Sequence, residues 1–258
     1  MIGFLMKKSF FDGWDNLISI ILINLGFILC LAAIFFLPGF GENLLGSASI
    51  FLVIPGILLI HVYAGAVSAL IKEASDFQSF ELKKVVVGFK ANWKVSLLLG
   101  VVNSLIFMVI IIAFPFYLSF GNMLGVAGAG FIFWVSFFWI VSIQYFFPVY
   151  TRLEGSFIKS IKKCFLISLD NPGFSIFSLL YSAILFVISL ITAFMIPGIG
   201  GILLFQQNAI KLRIYKYDWL EENPDGDRKK IPWDSLLFED RERIGPRSIK
   251  GMIFPWKD

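Results

Sequence analysis

The sequence predicts an all-α fold: a polytopic transmembrane helical bundle of five spans plus a short sixth, with cytoplasmic amphipathic helices. Three observations predict it. First, five long runs carry no Asp, Glu, Lys or Arg: Leu17–Leu37, Ala48–Ile71, Val95–Phe120, Leu124–Tyr150 and Phe174–Ile196. Roughly 20 apolar residues in helix cross a bilayer core about 30 Å thick, and every run reaches that length. Second, 58% of the 258 residues are hydrophobic and 16% charged, with mean hydropathy +0.82; a soluble domain carries about a quarter charged residues. Third, the cations lie between the runs and not in them.

The elements follow in order. Lys7 and Lys8 precede the first run, and Phe4, Phe10, Phe11 and Trp14 read as an interfacial aromatic anchor. The first run is too long for a signal-peptide core and lacks a small-x-small cleavage site, so it is expected to remain as a signal anchor. The connection Pro38–Ser47 holds Glu42 and no cation, whereas Lys72–Lys94 carries Lys72, Lys83, Lys84, Lys90 and Lys94. Gly121–Met123 is uncharged, and Thr151–Gly173 carries Arg152, Lys159, Lys162 and Lys163. Basic and neutral connections alternate, which places the N-terminus in the cytoplasm.

Pro197-Gly198-Ile199-Gly200-Gly201 reads as a helix break after the fifth span. Cations close behind a span resist translocation, and Lys211 and Arg213 follow soon after. A short sixth helix over about Gly198–Tyr217 is therefore expected to return inward. Its polar second half should pack against the bundle or lie at the interface.

The two long basic connections read as helices of their own. In Glu81–Lys94, Leu82, Val85, Val86, Phe89 and Trp93 recur at helical spacing, with Lys83, Lys84, Lys90 and Lys94 on other faces. In Leu153–Leu169, Leu153, Phe157, Ile161 and Phe165 do the same beside Lys159, Lys162 and Lys163. Both are expected to lie on the inner membrane surface, drawn to anionic lipid, or to dock a partner. Span, basic helix and span then occur twice, with Asn92 or Asn171 before each second span, which reads as a parallel repeat. Small residues at Ala64-Gly65-Ala66 and Gly125–Gly130 mark helix contacts. Residues 1–217 thus form a transmembrane domain and 218–258 a charged cytoplasmic tail. Trp233 and Trp256, each after a proline, make the tail a strap over the cytoplasmic face or a recruitment site.

Chemistry is sparse. The pI near 9.0 reflects cations in loops, which is topology and excludes a nucleic-acid partner. Cys30 and Cys164 sit in different settings and read as ordinary thiols. His61 is the only histidine, which excludes histidine-cluster metal sites, and no acid in any run could complete a serine triad. No phosphate-binding loop is present, so no cofactor is expected and the protein reads as a non-enzyme. What remains is polar residues inside the runs: His61, Asn24, Asn103 and Gln144, with Gln206, Gln207 and Asn208 further out. Such residues are either interhelical hydrogen-bond glue or a substrate site. The absence of a carboxylate in the runs argues against ion-coupled transport.

Certain stretches resemble a known family. They are Phe11–Leu25, Val62–Leu70, Phe89-Lys90-Ala91-Asn92-Trp93-Lys94, and Tyr145-Phe146-Phe147-Pro148-Val149-Tyr150-Thr151-Arg152. The sequence over most of residues 9–205 is similar to the YesL-like bacterial integral membrane proteins, domain of unknown function 624. The resemblance implies a bacterial inner-membrane protein with an accessory role in carbohydrate uptake or envelope function, and supplies no catalytic residues. The reading is a non-enzymatic accessory or scaffold in contact with lipid and with a membrane or cytoplasmic protein, or with itself as a homo-oligomer. The alternative is an oligomeric small-solute carrier with an uncharged mid-membrane site.

Overall fold

Long apolar runs without charge become helices in hydrocarbon because the helix satisfies its own backbone hydrogen bonds. The computed structural model bears this out. It describes residues 1–247 except 79, 80, 82, 154 and 229, and except the side chains of Leu45 and Ile50. The elements are α1 (Ile2–Asp15), α2 (Leu17–Leu45), a 3-10 turn (Gly46–Leu52), α3 (Val53–Ser75), α4 (Lys84–Leu118) and α5 (Met123–Ile143). They continue with α6 (Phe146–Arg152), α7 (Phe157–Asp170), α8 (Pro172–Ile191), α9 (Gly198–Glu222), α10 (Trp233–Leu236) and α11 (Phe238–Ile244). No strand occurs among the described residues.

Five helical stretches are long and apolar enough to cross a membrane: Leu17–Leu44, Gly46–Ser75, Lys84–Leu118, Met123–Arg152 and Pro172–Ile191. The protein is an all-α helical bundle with five membrane-length helices. At most 29% of any of their apolar windows is buried within the chain. Leu29 and Phe35 of α2, for example, are 72% and 76% exposed, so these surfaces are left for lipid or for other chains.

The α3–α4 pair corrects one expectation. Residues 84–94 do not form a separate surface helix; α4 runs unbroken from Lys84 to Leu118. The reason is a ridge of small or short side chains, Gly88, Asn92, Ser96 and Gly100, recurring every four residues against α3. A Cβ at Gly88 would collide with the Ala66 carbonyl oxygen. Asn92 Nδ2 donates to Gly65 O at 3.1 Å, and Lys84 meets Glu73 at 3.0 Å. Close backbone approach holds the basic segment upright against its neighbour. Lys83, Lys90 and Trp93 point away from this contact and are exposed.

The second basic segment does form its own helix, α7, but it faces the other way. Leu153, Phe157 and Ile161 pack on the bundle's core and Phe165 lies 6.0 Å from Trp139. The stripe expected to meet lipid thus closes the interior. With one continuous helix in the first hairpin and two in the second, the expected parallel repeat is not present. The fourth run likewise breaks at Gln144–Tyr145 into α5 and α6.

The sixth helix exists as α9, antiparallel to α8. Tyr181 meets Phe205 at 4.5 Å between ring centroids, and Gly198 N donates to Ser189 Oγ at 2.9 Å. α9 runs on to Glu222 and is largely interior, with Leu203–Ile210 buried throughout. It belongs to both hydrophobic clusters: one with α6, α7 and α8, the other with α2 and α3. The tail folds back as a strap in which Leu237 and Ile244 are buried, and Trp233 packs against the first cluster. Leu82 and Trp256 lie outside the described residues.

Candidate functional site

The helix α1 carries more than an aromatic anchor. Leu5, Lys8, Phe11 and Asp12 are its buried residues, and their spacing puts them on one face, against α9. A cation and an acid therefore enter the interior together. Lys8 is 0% and Asp12 3% exposed, and Lys8 Nζ donates to Asp12 Oδ2 at 2.8 Å and to Ser75 O at 2.9 Å. Asn208 Nδ2 of α9 donates to the same carboxylate oxygen at 2.8 Å. Burial lowers the Lys8 ammonium pKa and raises that of the Asp12 carboxyl, each opposed by the partner's charge.

The end of α3 extends this network. Asp76 caps it and receives Arg152 as a fork, Nη1 to Oδ2 and Nη2 to Oδ1, both at 3.1 Å. Arg152 also donates to Ser75 Oγ and, through Nε, to Gln207 Oε1 at 2.9 Å. Lys211 of α9 lies 3.3 Å from Asp76 and 3.2 Å from Asp240 of the strap. Burial pushes the Asp76 carboxyl up, but the Arg152 guanidinium and Lys211 outweigh it and hold the group below the usual range. Burial likewise pulls Lys211 down, and the charges around it, Asp240 first, raise it above an ordinary lysine. At the centre stands Phe77, with φ 57° in the left-handed region that bulky residues seldom occupy. Its ring centroid lies 3.7 Å from Lys8 Nζ, 5.2 Å from Lys211 Nζ and 5.4 Å from the Arg243 guanidinium.

A second charged cluster joins α7, α8 and α9. Asp170 accepts from Lys216 Nζ at 2.8 Å and from Tyr217 OH at 3.1 Å. The hydrogen bond from Lys216, ahead of its other neighbours, lowers the Asp170 pKa. Asn171 Oδ1 accepts from both Lys216 Nζ and Arg213 Nη1 at 2.8 Å. Arg213 is buried, touches Met1 Sδ and stacks 3.8 Å from the Phe174 ring centroid. Burial pulls its guanidinium down to about 10.

The four polar residues expected inside the spans do not converge on one site. His61 and Asn103 do meet. His61 Nδ1 donates to Ile57 O at 2.9 Å, so Nε2 is the acceptor for Asn103 Nδ2 at 2.9 Å, while Trp139 Nε1 donates to Asn103 Oδ1 at 3.0 Å. This chain links α3, α4 and α5. Asn24 lies elsewhere, clamping the start of α9: it donates to Met195 O and Pro197 O and accepts from Gly200 N, at 2.7–2.9 Å. Gln144 ties the α5–α6 break to α8, donating to Val141 O at 2.7 Å and Ser175 O at 3.0 Å. Gln207 and Asn208, placed further out by the sequence, are the ones that join the charged network. Gln207 meets Arg152 and Asn208 meets Asp12, and these two with Lys8, Asp76, Lys211 and Asp240 carry only the sequence signature of charges flanking spans. The available clue was the apolar, basic, apolar, acidic order of Leu5, Lys8, Phe11 and Asp12 on a single helical face.

On α7 the outward face combines Ile158, Leu166 and Leu169 with Lys159 and Lys162, all exposed, while Lys163 is half-buried. Trp233 lies 5.4 Å from the Arg213 guanidinium and is engaged by the chain's own core. No family model, curated protein or solved structure matches this chain.

Proposed function

We propose that this chain is a non-enzymatic accessory or scaffold protein of a bacterial inner membrane, acting through partner contacts at its basic, cytoplasmic end. The observation that carries the reading is the outward face of α7, where Ile158, Leu166 and Leu169 stand exposed among Lys159 and Lys162. Exposed large apolar residues beside lysines suit an acidic, amphipathic partner helix or segment. The helix behind that face is anchored by Cys164 and Ile167, so it is presented on a firm base.

The carrier alternative loses its support, because Asn24, Gln144 and the His61–Asn103 pair belong to three separate helix ties. The resemblance to YesL-like proteins would place the partner in a carbohydrate-uptake or envelope system. Photo-crosslinking in native membranes tests the proposal. A crosslinker at position 159 or 162 should capture one and the same protein, and Leu166→Glu should abolish the product. Uptake of a solute into proteoliposomes that is lost in Asn103→Ala, with the fold intact, would instead establish a carrier.

A further inference from the structure

Between α1, α2, α8 and α9 lies an apolar cleft of about 420 Å3, inside the roughly 300–1,000 Å3 range of small-molecule sites. Phe10, Gly13 and Trp14 of α1 form one wall, Leu185 and Ile188 of α8 another, and Leu204 of α9 the floor. Along α8 and its C-cap it extends from Tyr181 to Thr192, about 16 Å at ~1.5 Å per residue. We infer that this cleft binds one acyl chain of a membrane phospholipid.

Four features select that occupant. The cleft lies beside α2 and α8, both of membrane length, so its mouth adjoins surfaces suited to hydrocarbon. Two of its polar wall groups are already engaged, which leaves the Trp14 N–H and the Tyr181 O–H: Ser9 Oγ accepts from Asn208, and Thr192 Oγ1 bonds to carbonyl oxygens of its own turn. A polar solute would find only those two donors among apolar side chains, and a helix about 10–12 Å across would not fit. A narrow, flexible hydrocarbon chain fits both the shape and the chemistry.

The rim suits the head of such a lipid. Trp14 and Tyr181 place their rings along the cleft, and neither the indole N–H nor the phenol O–H has a hydrogen-bond partner among the described residues. Such side chains with an apolar body and a polar tip favour the ester region of a bilayer. Lys7 precedes Phe10 and Trp14 at i, i+3 and i+7 on the same flank of α1. It uses one of its three donors on Gly245 O at 3.2 Å, which leaves charge to attract a phosphate.

Native mass spectrometry of the full chain, extracted from membranes in mild detergent, tests the assignment. Wild type should carry one phospholipid that survives detergent exchange. Leu185→Trp fills the cleft and should lower that species about tenfold, whereas Leu180→Trp, on the exposed face of the same helix, should retain it. If circular dichroism shows Leu185→Trp unfolded, Gly13→Leu serves in its place, because a Cβ there makes only ordinary contact with Leu204 at 3.7 Å. A wild type without bound phospholipid, one holding only free fatty acid, or equal retention in the cleft-filling and control variants would overturn the inference.

Discussion

Lys8 and Asp12 are individually unlikely interior residues, and each is present because the other is. Taking either charge out of water alone costs several kcal/mol, whereas the pair shares a 2.8 Å hydrogen bond and gains Ser75 O and Asn208 as further partners. Lys8→Met leaves the Asp12 carboxylate buried without its cation and should destabilise the fold by about 3–5 kcal/mol. The double variant Lys8→Met with Asp12→Leu should recover most of that loss, as measured by thermal melts of the four members of the cycle. Additive losses would show that the two residues act separately.

Asp76 gives a second prediction, through pH. Its folded pKa lies below the ordinary 3.8 because Arg152 and Lys211 outweigh burial. The folded state therefore holds this proton less tightly than the unfolded chain does. The resulting stability is fully present above about pH 4 and is lost as the pH falls through the lower, folded value. Asp12, whose pKa is raised, has the opposite slope, so the two are separated by variant. Asp76→Asn should reduce the drop in melting temperature between about pH 6 and pH 3 relative to wild type. An unchanged drop would remove Asp76 from the account.

At the scale of elements, close packing of small residues decides where helices stand. Gly88 on α4 meets the Ala66 carbonyl, a backbone atom that cannot swing aside. Gly88→Ala should therefore cost roughly 1–3 kcal/mol by overpacking. Gly39→Ala in α2, where a Cβ meets nothing within 4 Å, should not destabilise. Melting curves of both variants in one detergent provide the comparison. Equal effects would mean that α3 and α4 do not rely on this approach.

The same elements show how far the sequence could be read. Run length and the absence of charge identified five spans, because hydrocarbon demands both properties locally. Alternating connections and the break at Pro197–Gly201 also pointed to α9. Period alone could not show which surface α4 or α7 would face. Leu153, Phe157 and Ile161 have the spacing of a membrane-surface stripe and of a core-packing stripe alike, and only the neighbouring helix decides. The charged network was less legible still. Its members are scattered from Lys8 to Asp240, and cations flanking spans look the same whether they face water or each other. His61 and Asn103 were recognisable as buried polar groups, but Trp139, which completes their tie, gave no polar signal beside its aromatic neighbours.

On the scale of the whole molecule, the five membrane-length helices leave most of their surface outward, while the charged interactions gather at one end. There α1, the ends of α3, α6 and α7, α9 and the strap are joined by Lys8 to Ser75 O, Arg152–Asp76, Lys211–Asp240 and Lys216–Asp170. The strap reaches α1 again through Arg247, whose Nη1 lies 2.8 Å from Asp15. An assembly of this kind brings the N-terminus and residues 233–247 to a single face. The turn around Asn122 joins α4 and α5 at the far ends of two long apolar helices. If α4 and α5 cross the bilayer, that turn must emerge opposite the strap.

Cysteine accessibility in sealed vesicles tests this arrangement most directly. The native thiols interfere little at Cys164, where burial pushes the pKa up to about 12, and Cys30→Ser removes the other. Single cysteines at the exposed positions 159, 235 and 122 would then be challenged with a membrane-impermeant maleimide. Positions 159 and 235 should label from one and the same side, and 122 only from the other. Labelling of 235 together with 122, and apart from 159, would contradict it.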